Sequence, residues 1–445
     1  MESAAATPLC PGESNPEPRL SRRSRPEGRM AEAEVPNPES RIPAIVSPPM
    51  GIAPMAGMTD SAFRRLVKRQ GGCGLVVSEM VSSEALVRGI GRSLEYLEFT
   101  DEERPVSIQI FGGDPARMAE AARVVESRGA DIVDVNMGCP VPKISKHNAG
   151  CSLMRDPEHA AAIVAAMVQA VQIPVTVKMR AGWNEREVNA PELARLVEAA
   201  GASAVAVHGR TAAQAYHGLA DWDLIARVAE AVRIPVYGCG DLVEPEQILA
   251  RLRGSPVAGV LVGRGILRNP WLFAQAEDLL EGRPARAVTR LDRQRFLLDY
   301  IDLLERETPG GLDRPRERTS AARRRFDPAA THDRWVVNKL RALCGYYTRG
   351  FEGGAHLRVA VNQAPSVAAL RELIETFFSS PESRAATGPV RDVSICPRVT
   401  FACPPCGQME SAADTPSRPS LPEPRIPNPE PRVPSPEPRA PNPEQ

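Results

Sequence analysis

No apolar run in the chain reaches the ~18–20 residues that a membrane span requires, and this excludes a helical membrane protein as the expected class. Residues 1–29 lack an apolar core between their charges, so no secretory signal is expected there. Cysteine is sparse and odd in number, nine in 445 residues. That argues against a disulfide framework and predicts a reducing, cytoplasmic setting. Net charge is absent, because 55 Lys and Arg balance 55 Asp and Glu. No G-x-G-x-x-G follows the first apolar run, which weakens the reading of an open dinucleotide-binding sheet.

Proline is what the chain has in excess, and it is unevenly spread. Of 44 prolines, 8 lie in residues 1–43 and 17 in residues 381–445. Such segments bury too little apolar surface to offset the entropy of folding, so 1–42 and 381–445 are expected to be disordered. The tail repeats a seven-residue unit, as in Pro427-Asn428-Pro429-Glu430-Pro431-Arg432-Val433. Alternating proline forbids the coiled coil that a period of seven would otherwise suggest and points to extended polyproline II. Cys403 and Cys406 form a C-x-x-C there, with Cys396 nearby. Three thiols make a poor zinc site, and no metal is expected.

Between these ends, eight short apolar runs alternate with amphipathic stretches. The runs cover 50–55, 74–78, 106–111, 132–137, 175–179, 204–207, 236–238 and 259–262. Helical patterns lie between them, at 114–127, 156–170, 190–199, 222–232 and 245–252. Asp114-Pro115 and Asp156-Pro157 each supply an N-cap followed by proline at the first helical position. Near-continuous apolar strands separated by helices mean a parallel sheet covered on both faces. Eight units within residues 43–282 predict an α/β fold, a (β/α)8 TIM barrel. An open doubly wound sheet is the alternative. Helices at 291–305, 335–347 and 366–378 then predict a small all-helical C-terminal domain over 283–380, with an Arg- and Pro-rich loop at 308–331. Charge divides the same way. Residues 43–282 hold 24 Lys and Arg against 28 Asp and Glu, a net −4, whereas 283–358 hold 17 against 10, a net +7. A basic appendage on an acidic body suggests a polyanionic partner.

Catalytic groups of a barrel lie at the C-terminal ends of its strands. Those ends carry Pro54-Met55-Ala56-Gly57, Glu79, Gln109, Asn136-Met137-Gly138-Cys139-Pro140, Lys178-Met179-Arg180, His208-Gly209-Arg210, Gly238-Cys239-Gly240-Asp241 and Gly263-Arg264-Gly265. Core packing does not call for Gln, Asn, Lys and His at such points. Gly240 and Gly263 follow strands 7 and 8, where barrels commonly bind phosphate, and Arg264 can add a bidentate contact. Gln109, Asn136 and Lys178 could line a flat heteroaromatic ring. Flavin mononucleotide fits this pattern, and a phosphosugar fits the glycines equally well. Cys139 lies on the loop after strand 4. A thiol with an ordinary pKa of about 8.5 is protonated at neutral pH, so it can serve as an acid or as a nucleophile. Cys151, twelve positions on within Ala149-Gly150-Cys151-Ser152-Leu153, reads as tightly packed.

The motifs taken in order resemble the tRNA-dihydrouridine synthases, in particular their bacterial B-type branch. They are Ala53-Pro54-Met55-Ala56-Gly57-Met58-Thr59-Asp60, Ser107-Ile108-Gln109-Ile110-Phe111-Gly112, Asn136-Met137-Gly138-Cys139-Pro140, Val177-Lys178-Met179-Arg180, Val207-His208-Gly209-Arg210-Thr211 and Gly263-Arg264-Gly265. The resemblance implies an FMN-dependent enzyme that reduces uridines in tRNA to dihydrouridine with NADPH as reductant. It implies Cys139 as the general acid at uracil carbon 5, after hydride reaches carbon 6. It implies Pro54, Met55, Ala56, Gln109, Lys178, His208, Gly240, Asp241, Gly263 and Arg264 around the cofactor. Asn136, Arg180 and Arg341 would face the tRNA substrate, and the basic helical domain would grip its phosphates. A cationic Lys or His would offset the negative charge that develops on the uracil. A monomer with no membrane partner is expected.

Two departures stand out. Cys239 occupies the position where the family usually has Asn. Arg341-Ala342-Leu343 replaces the usual Arg-Lys-His run, which removes two expected RNA contacts. The competing functions are an FMN-dependent barrel reductase of a small molecule and a non-catalytic RNA-binding protein on the same fold. If the proline-rich ends are dispensable, residues 43–380 expressed alone will be soluble and carry flavin absorbance. An insoluble or colourless product would overturn that division.

Overall fold

The structure is a computed structural model that describes residues 46–145, 148–306 and 328–379. The proline-rich ends, the C-x-x-C and residues 308–327 of the Arg-rich loop lie outside the described residues. The last four residues of the expected loop, 328–331, are helical.

Eight strands form the barrel: β1 Met50–Ile52, β2 Leu75–Val77, β3 Val106–Phe111, β4 Ile132–Met137, β5 Val175–Arg180, β6 Ala204–His208, β7 Val236–Cys239 and β8 Gly259–Val262. Every pairing between them is parallel. β1 bonds to β2 at Gly51–Leu75 and to β8 at Met50–Val260, so the sheet closes on itself. Closure excludes the open doubly wound sheet. A two-residue strand, Val81–Ser82, adds a short pairing to the end of β3.

Alternation along each strand makes two separate cores. In β6, Val205 and Val207 point outward and join the cluster shared with the helices, while Ala204 and Ala206 point inward. The interior cluster also holds Leu75, Val77, Ile132, Tyr237, Cys239 and Leu261. Strands apolar on both faces are the reason their sequence reads as continuous hydrophobic runs.

Helices α1 Ser61–Gln70, α2 Pro115–Ser127, α3 Pro157–Ala170, α4 Ala190–Ala199, α5 Trp222–Ala231 and α6 Pro245–Gly254 cover the outside. Aspartates set four of their starts. Asp60, Asp114, Asp156 and Asp221 accept from the backbone N–H groups of Phe63, Arg117, His159 and Leu224 at 2.8–3.2 Å. Helix α1 has no counterpart in the sequence reading, because Arg64, Arg65, Lys68 and Arg69 obscure its buried face of Ala62, Phe63, Leu66 and Val67. Helices α7 Arg264–Arg268 and α8 Leu272–Leu280 complete the barrel.

The C-terminal helices are α9 Arg290–Arg306, α10 Pro328–Tyr347, α11 Gly354–Gln363 and α12 Val367–Ser379. They pack directly on the barrel through aromatic rings. Phe63 of α1 meets Phe296 and Tyr300 of α9 edge-on at 6.2 and 6.3 Å, and Phe296 stacks on Tyr347 of α10 at 5.7 Å. Such pairs add about 0.5–1.5 kcal/mol each beyond burial.

One buried ion pair anchors the same corner. Arg64 and Glu103 meet at 2.6 Å with side chains only 3% and 0% exposed. Glu103 also accepts from Ser61 Oγ and from the Thr100 N–H, while Arg64 donates to the Thr59 carbonyl at 2.7 Å. Removing one partner leaves a buried charge without compensation, at a cost of about 3–5 kcal/mol. Glu103→Ala is therefore expected to lose that much in urea unfolding, and the apolar pair Arg64→Met/Glu103→Leu to recover most of it. An unchanged midpoint for Glu103→Ala would contradict the assignment.

Candidate active site

Strand register brings the candidate polar residues onto adjoining interior positions. Gln109 of β3 lies level with Asp134 of β4, and Asp134 with Thr176 of β5. One step toward the mouth, Asn136 lies level with Lys178. A directed chain of hydrogen bonds runs through them. Asp134 accepts from Thr176 Oγ1 at 2.6 Å and from Gln109 Nε2 at 2.7 Å. Gln109 Oε1 accepts from Asn136 Nδ2 at 2.7 Å. Asn136 Oδ1 then accepts the backbone N–H groups of Gly138 and Cys139 at 3.2 and 3.0 Å. A carboxylate only accepts, so it fixes which way each amide must point. Burial raises the Asp134 pKa, while Gln109, Thr176 and Lys178 oppose that rise.

The chain ends at the loop that carries Cys139. Arg180 holds the loop from the other side, donating through Nε to the Gly138 carbonyl at 2.8 Å. Its Nη1 donates to the carbonyls of Thr211 and Ala215 at 2.9 and 3.1 Å. Arg180, expected at the substrate, thus ties the Cys139 loop to the loop after β6. Burial pushes the Cys139 thiol upward, against a hydrogen bond from the Val141 backbone and the Arg180 charge. Its proton is therefore retained at neutral pH. Cys151 is fully buried, its thiol pushed up to about 11, mainly by desolvation, and its N–H donates to the Cys139 carbonyl at 3.1 Å. It packs beneath the loop, as its small neighbours suggested.

Lys178 lines the barrel interior beside Asp134 and Thr176, and its ammonium makes no hydrogen bond or ion pair among the described residues. Arg180, Arg210, Arg264 and Lys178 all act on His208. Burial first, then these cations, hold the His208 pKa well below its ordinary value. His208 is thus neutral here, and offsetting negative charge falls to Lys178 and the arginines rather than to the histidine.

At the end of β7 the backbone leaves no room for a side chain, whereas Gly263 after β8 is less crowded. Gly240 has φ +134, and a Cβ there would lie 2.5 Å from Ala220 Cβ and 3.2 Å from the His208 ring. A Cβ at Gly263 would lie 3.5 Å from the Met55 sulfur, which places Met55 against the start of α7. Asp241 accepts from Arg210 Nη2 at 2.7 and 2.8 Å and from the Ala220 N–H at 2.7 Å. Its carboxylate, expected at the cofactor, directly holds the fully buried Arg210; Arg264 lies 4.0 Å away. The Arg264 guanidinium lies 4.5 Å from the centre of the half-exposed Tyr216 ring. Cys239 is buried in the interior cluster.

The loop after β1 turns through Gly57, whose φ of +80 favours glycine. The Gly57 N–H donates to Glu79 Oε2 at 2.6 Å. Pro54 and Met55 are half-buried and Ala56 is exposed. Arg341 lies on α10, away from the strand-end cluster, and its donors reach Asn338 and the carbonyls of Val361 and Ala364 at 3.0–3.4 Å. It staples α10 to the end of α11. Among the described residues, no group of three or more His, Cys, Asp or Glu gathers as for a metal, and no helix is long and apolar enough to cross a membrane.

Asp134, Tyr216 and Lys339 escaped the sequence reading. Asp134 had a signal: an acid inside an apolar strand, two residues before Asn136 and hence on the same face. Lys339, on α10, bonds to Asp60 at 2.9 Å, and nothing local in the sequence announces that.

A closed parallel barrel with amide, thiol, lysine and histidine groups at the carboxyl ends of its strands is the architecture of a (β/α)8-barrel enzyme. The dihydrouridine synthase (Dus) family model matches residues 51–336. A probable tRNA-dihydrouridine synthase of Rickettsia bellii is 38% identical over 342 residues, covering 75% of this chain and 95% of that protein. The tRNA-dihydrouridine synthase B of Pseudomonas putida is 43% identical over 330 residues, covering 74% and 90%. That of Xanthomonas campestris is 42% identical over 238 residues, covering 54% and 71%. The chain belongs to the dihydrouridine synthase family and falls with its B-type members.

The raised Cys139 pKa has a direct readout. Alkylation by iodoacetamide, followed at the Cys139 peptide by mass spectrometry, should reach half its maximal rate above the ordinary thiol range of about pH 8.5. A midpoint near pH 7 would mean a thiolate and would contradict the protonated assignment.

Proposed function

We propose that the chain is an FMN-dependent tRNA-dihydrouridine synthase in which Cys139 is the general acid. The observation that carries this reading is the placement of Cys139. Asn136 and Arg180 fix its loop at the barrel mouth, and burial keeps its thiol protonated. FMN held at the barrel mouth and reduced by NADPH would supply the hydride chemistry for uracil reduction. Cys139 Sγ would deliver the proton to carbon 5 of the uracil.

The residues present fit such a cofactor. Lys178 offers an unpaired ammonium on the cavity wall, level with Asn136. Gln109 and Asn136 present a bonded amide pair of fixed orientation beside it. Gly240 and Gly263 bring backbone close to His208 and Met55, with Arg264 next in the chain. These residues, with Pro54 and Ala56, would hold the cofactor, and Asp241 would act by orienting Arg210 and Arg264. Neutral His208 can donate or accept a hydrogen bond without adding charge. Negative charge developing on the uracil oxygens is offset by Lys178 and Arg180. The target uridine must leave its stack to reach this depth.

The barrel over 43–282 would hold the chemistry, and the helical region over 283–380 would grip tRNA. Its net +7 over 283–358 supplies a salt-dependent attraction for phosphates. A small-molecule FMN reductase would have no use for that charge. A non-catalytic RNA-binding protein would need no protonated thiol fixed at a barrel mouth.

Cys139→Ala is expected to retain flavin and bind tRNA while losing most uridine reduction, a fall of about 10²–10⁴-fold for a lost general acid. Turnover on tRNA near wild type would remove Cys139 from the role. Mapping dihydrouridine in tRNA with and without the intact protein tests the activity itself. Unchanged levels at every site would sink it.

A further inference from the structure

A buried polar knot joins the C-terminal helices to the mouth of the barrel. Lys339 of α10 places Nζ 2.9 Å from Asp60 Oδ2 and 3.7 Å from Glu79 Oε1. All three side chains are largely buried, with 17%, 12% and 6% exposed. Asp60 also caps α1 and accepts from Tyr300 Oη of α9 at 2.7 Å. Glu79, at the end of β2, accepts the Gly57 N–H. A lysine with one ammonium therefore bridges two carboxylates, and each carboxylate holds one flank of the loop after β1.

We propose that Lys339 is a positioning residue that couples the seating of the C-terminal helices to the conformation of loop 54–57. The inference rests on the reading that this loop borders the cofactor, but its physical content does not. Without Lys339, two carboxylates would face one another in a poorly solvated pocket. Desolvation already raises the Glu79 pKa, the Lys339 charge opposes that rise, and the Asp60 charge reinforces it. The cheapest relief is for Glu79 to take up a proton or swing toward solvent. A swing releases the Gly57 N–H, and protonation weakens its bond, because a neutral carboxyl is the poorer acceptor. In the other direction, anything that shifts α10 moves the cation that pins this loop. RNA gripped by the helical region would thereby set the geometry at the mouth.

Hydrogen–deuterium exchange on the full-length protein tests this without relying on turnover. Lys339→Met should raise exchange across 54–60 by about tenfold, the effect of a lost charge-assisted hydrogen bond, and leave 115–127 of α2 unchanged. Lys339→Arg should restore protection. FMN added to the apo protein should bind Lys339→Met about tenfold more weakly, with Lys339→Arg again close to wild type. If Lys339→Met proves globally unfolded, with 115–127 also exchanging fast, Lys339→Gln keeps a hydrogen bond to Asp60 while removing the charge, and the same comparison is made on it. Wild-type protection of 54–60 in a folded Lys339 variant overturns the proposal. Failure of the wild-type protein to bind FMN would instead overturn the reading of the cofactor, and exchange at 54–60 would still decide the role of Lys339.

Discussion

The site depends on the acceptor-only character of one buried carboxylate. Ionised Asp134 only accepts, so Gln109 turns its NH₂ toward it, Asn136 turns its NH₂ toward Gln109, and Asn136 Oδ1 faces the Cys139 backbone. An amide alone in the same place could point either way. A chain of amides anchored at one end by a carboxylate has a single polarity. The loop that carries the thiol thus inherits its position from a group two residues inside the strand. Register makes this possible, since Gln109, Asp134 and Thr176 stand on one level of the barrel and Asn136 and Lys178 on the next.

Much of this was legible in the sequence because strands of a closed barrel are buried on both faces. The runs at 106–111, 132–137 and 259–262 coincide with β3, β4 and β8, and the Asp-Pro starts at 114–115 and 156–157 coincide with α2 and α3. Local rules govern those features, so a local reading finds them. Helix α1 was missed because its four basic residues mask a buried stripe whose partners, Phe296 and Tyr300, come from a distant helix. Arg180, Asp241 and Arg341 show what a local reading does not reach. Each of these side chains bonds to its own chain, and only tertiary structure reveals those partners. Lys339 is invisible for the same reason, because its two acids belong to the first two strand ends of the barrel.

Charge shows how averages mislead. The chain is neutral overall and the barrel segment carries −4, yet Lys178, Arg180, Arg210 and Arg264 surround His208 at the mouth. The acidic residues of the barrel segment lie mostly outside this ring. Among them, Asp241 neutralises Arg210, and Asp134 lies beside Lys178 without bonding to its ammonium. Burial, reinforced by these cations, keeps His208 neutral, so the positive charge sits on groups whose protonation does not change near neutral pH.

That cationic field also reaches the Cys139 thiol, where a nearby guanidinium favours the thiolate, and geometry limits the effect. Arg180 is fixed by three backbone carbonyls, with Nε on the Cys139 loop at Gly138 and Nη1 on Thr211 and Ala215. Its Nε and Nη1 donors are committed to carbonyls rather than to the sulfur. What reaches Cys139 is a through-space attraction, and it ranks below both desolvation and the backbone bond at Val141. Desolvation wins, and the thiol keeps its proton. The carbonyl contacts that fix Arg180 Nε and Nη1 thus leave desolvation as the main influence on the Cys139 thiol.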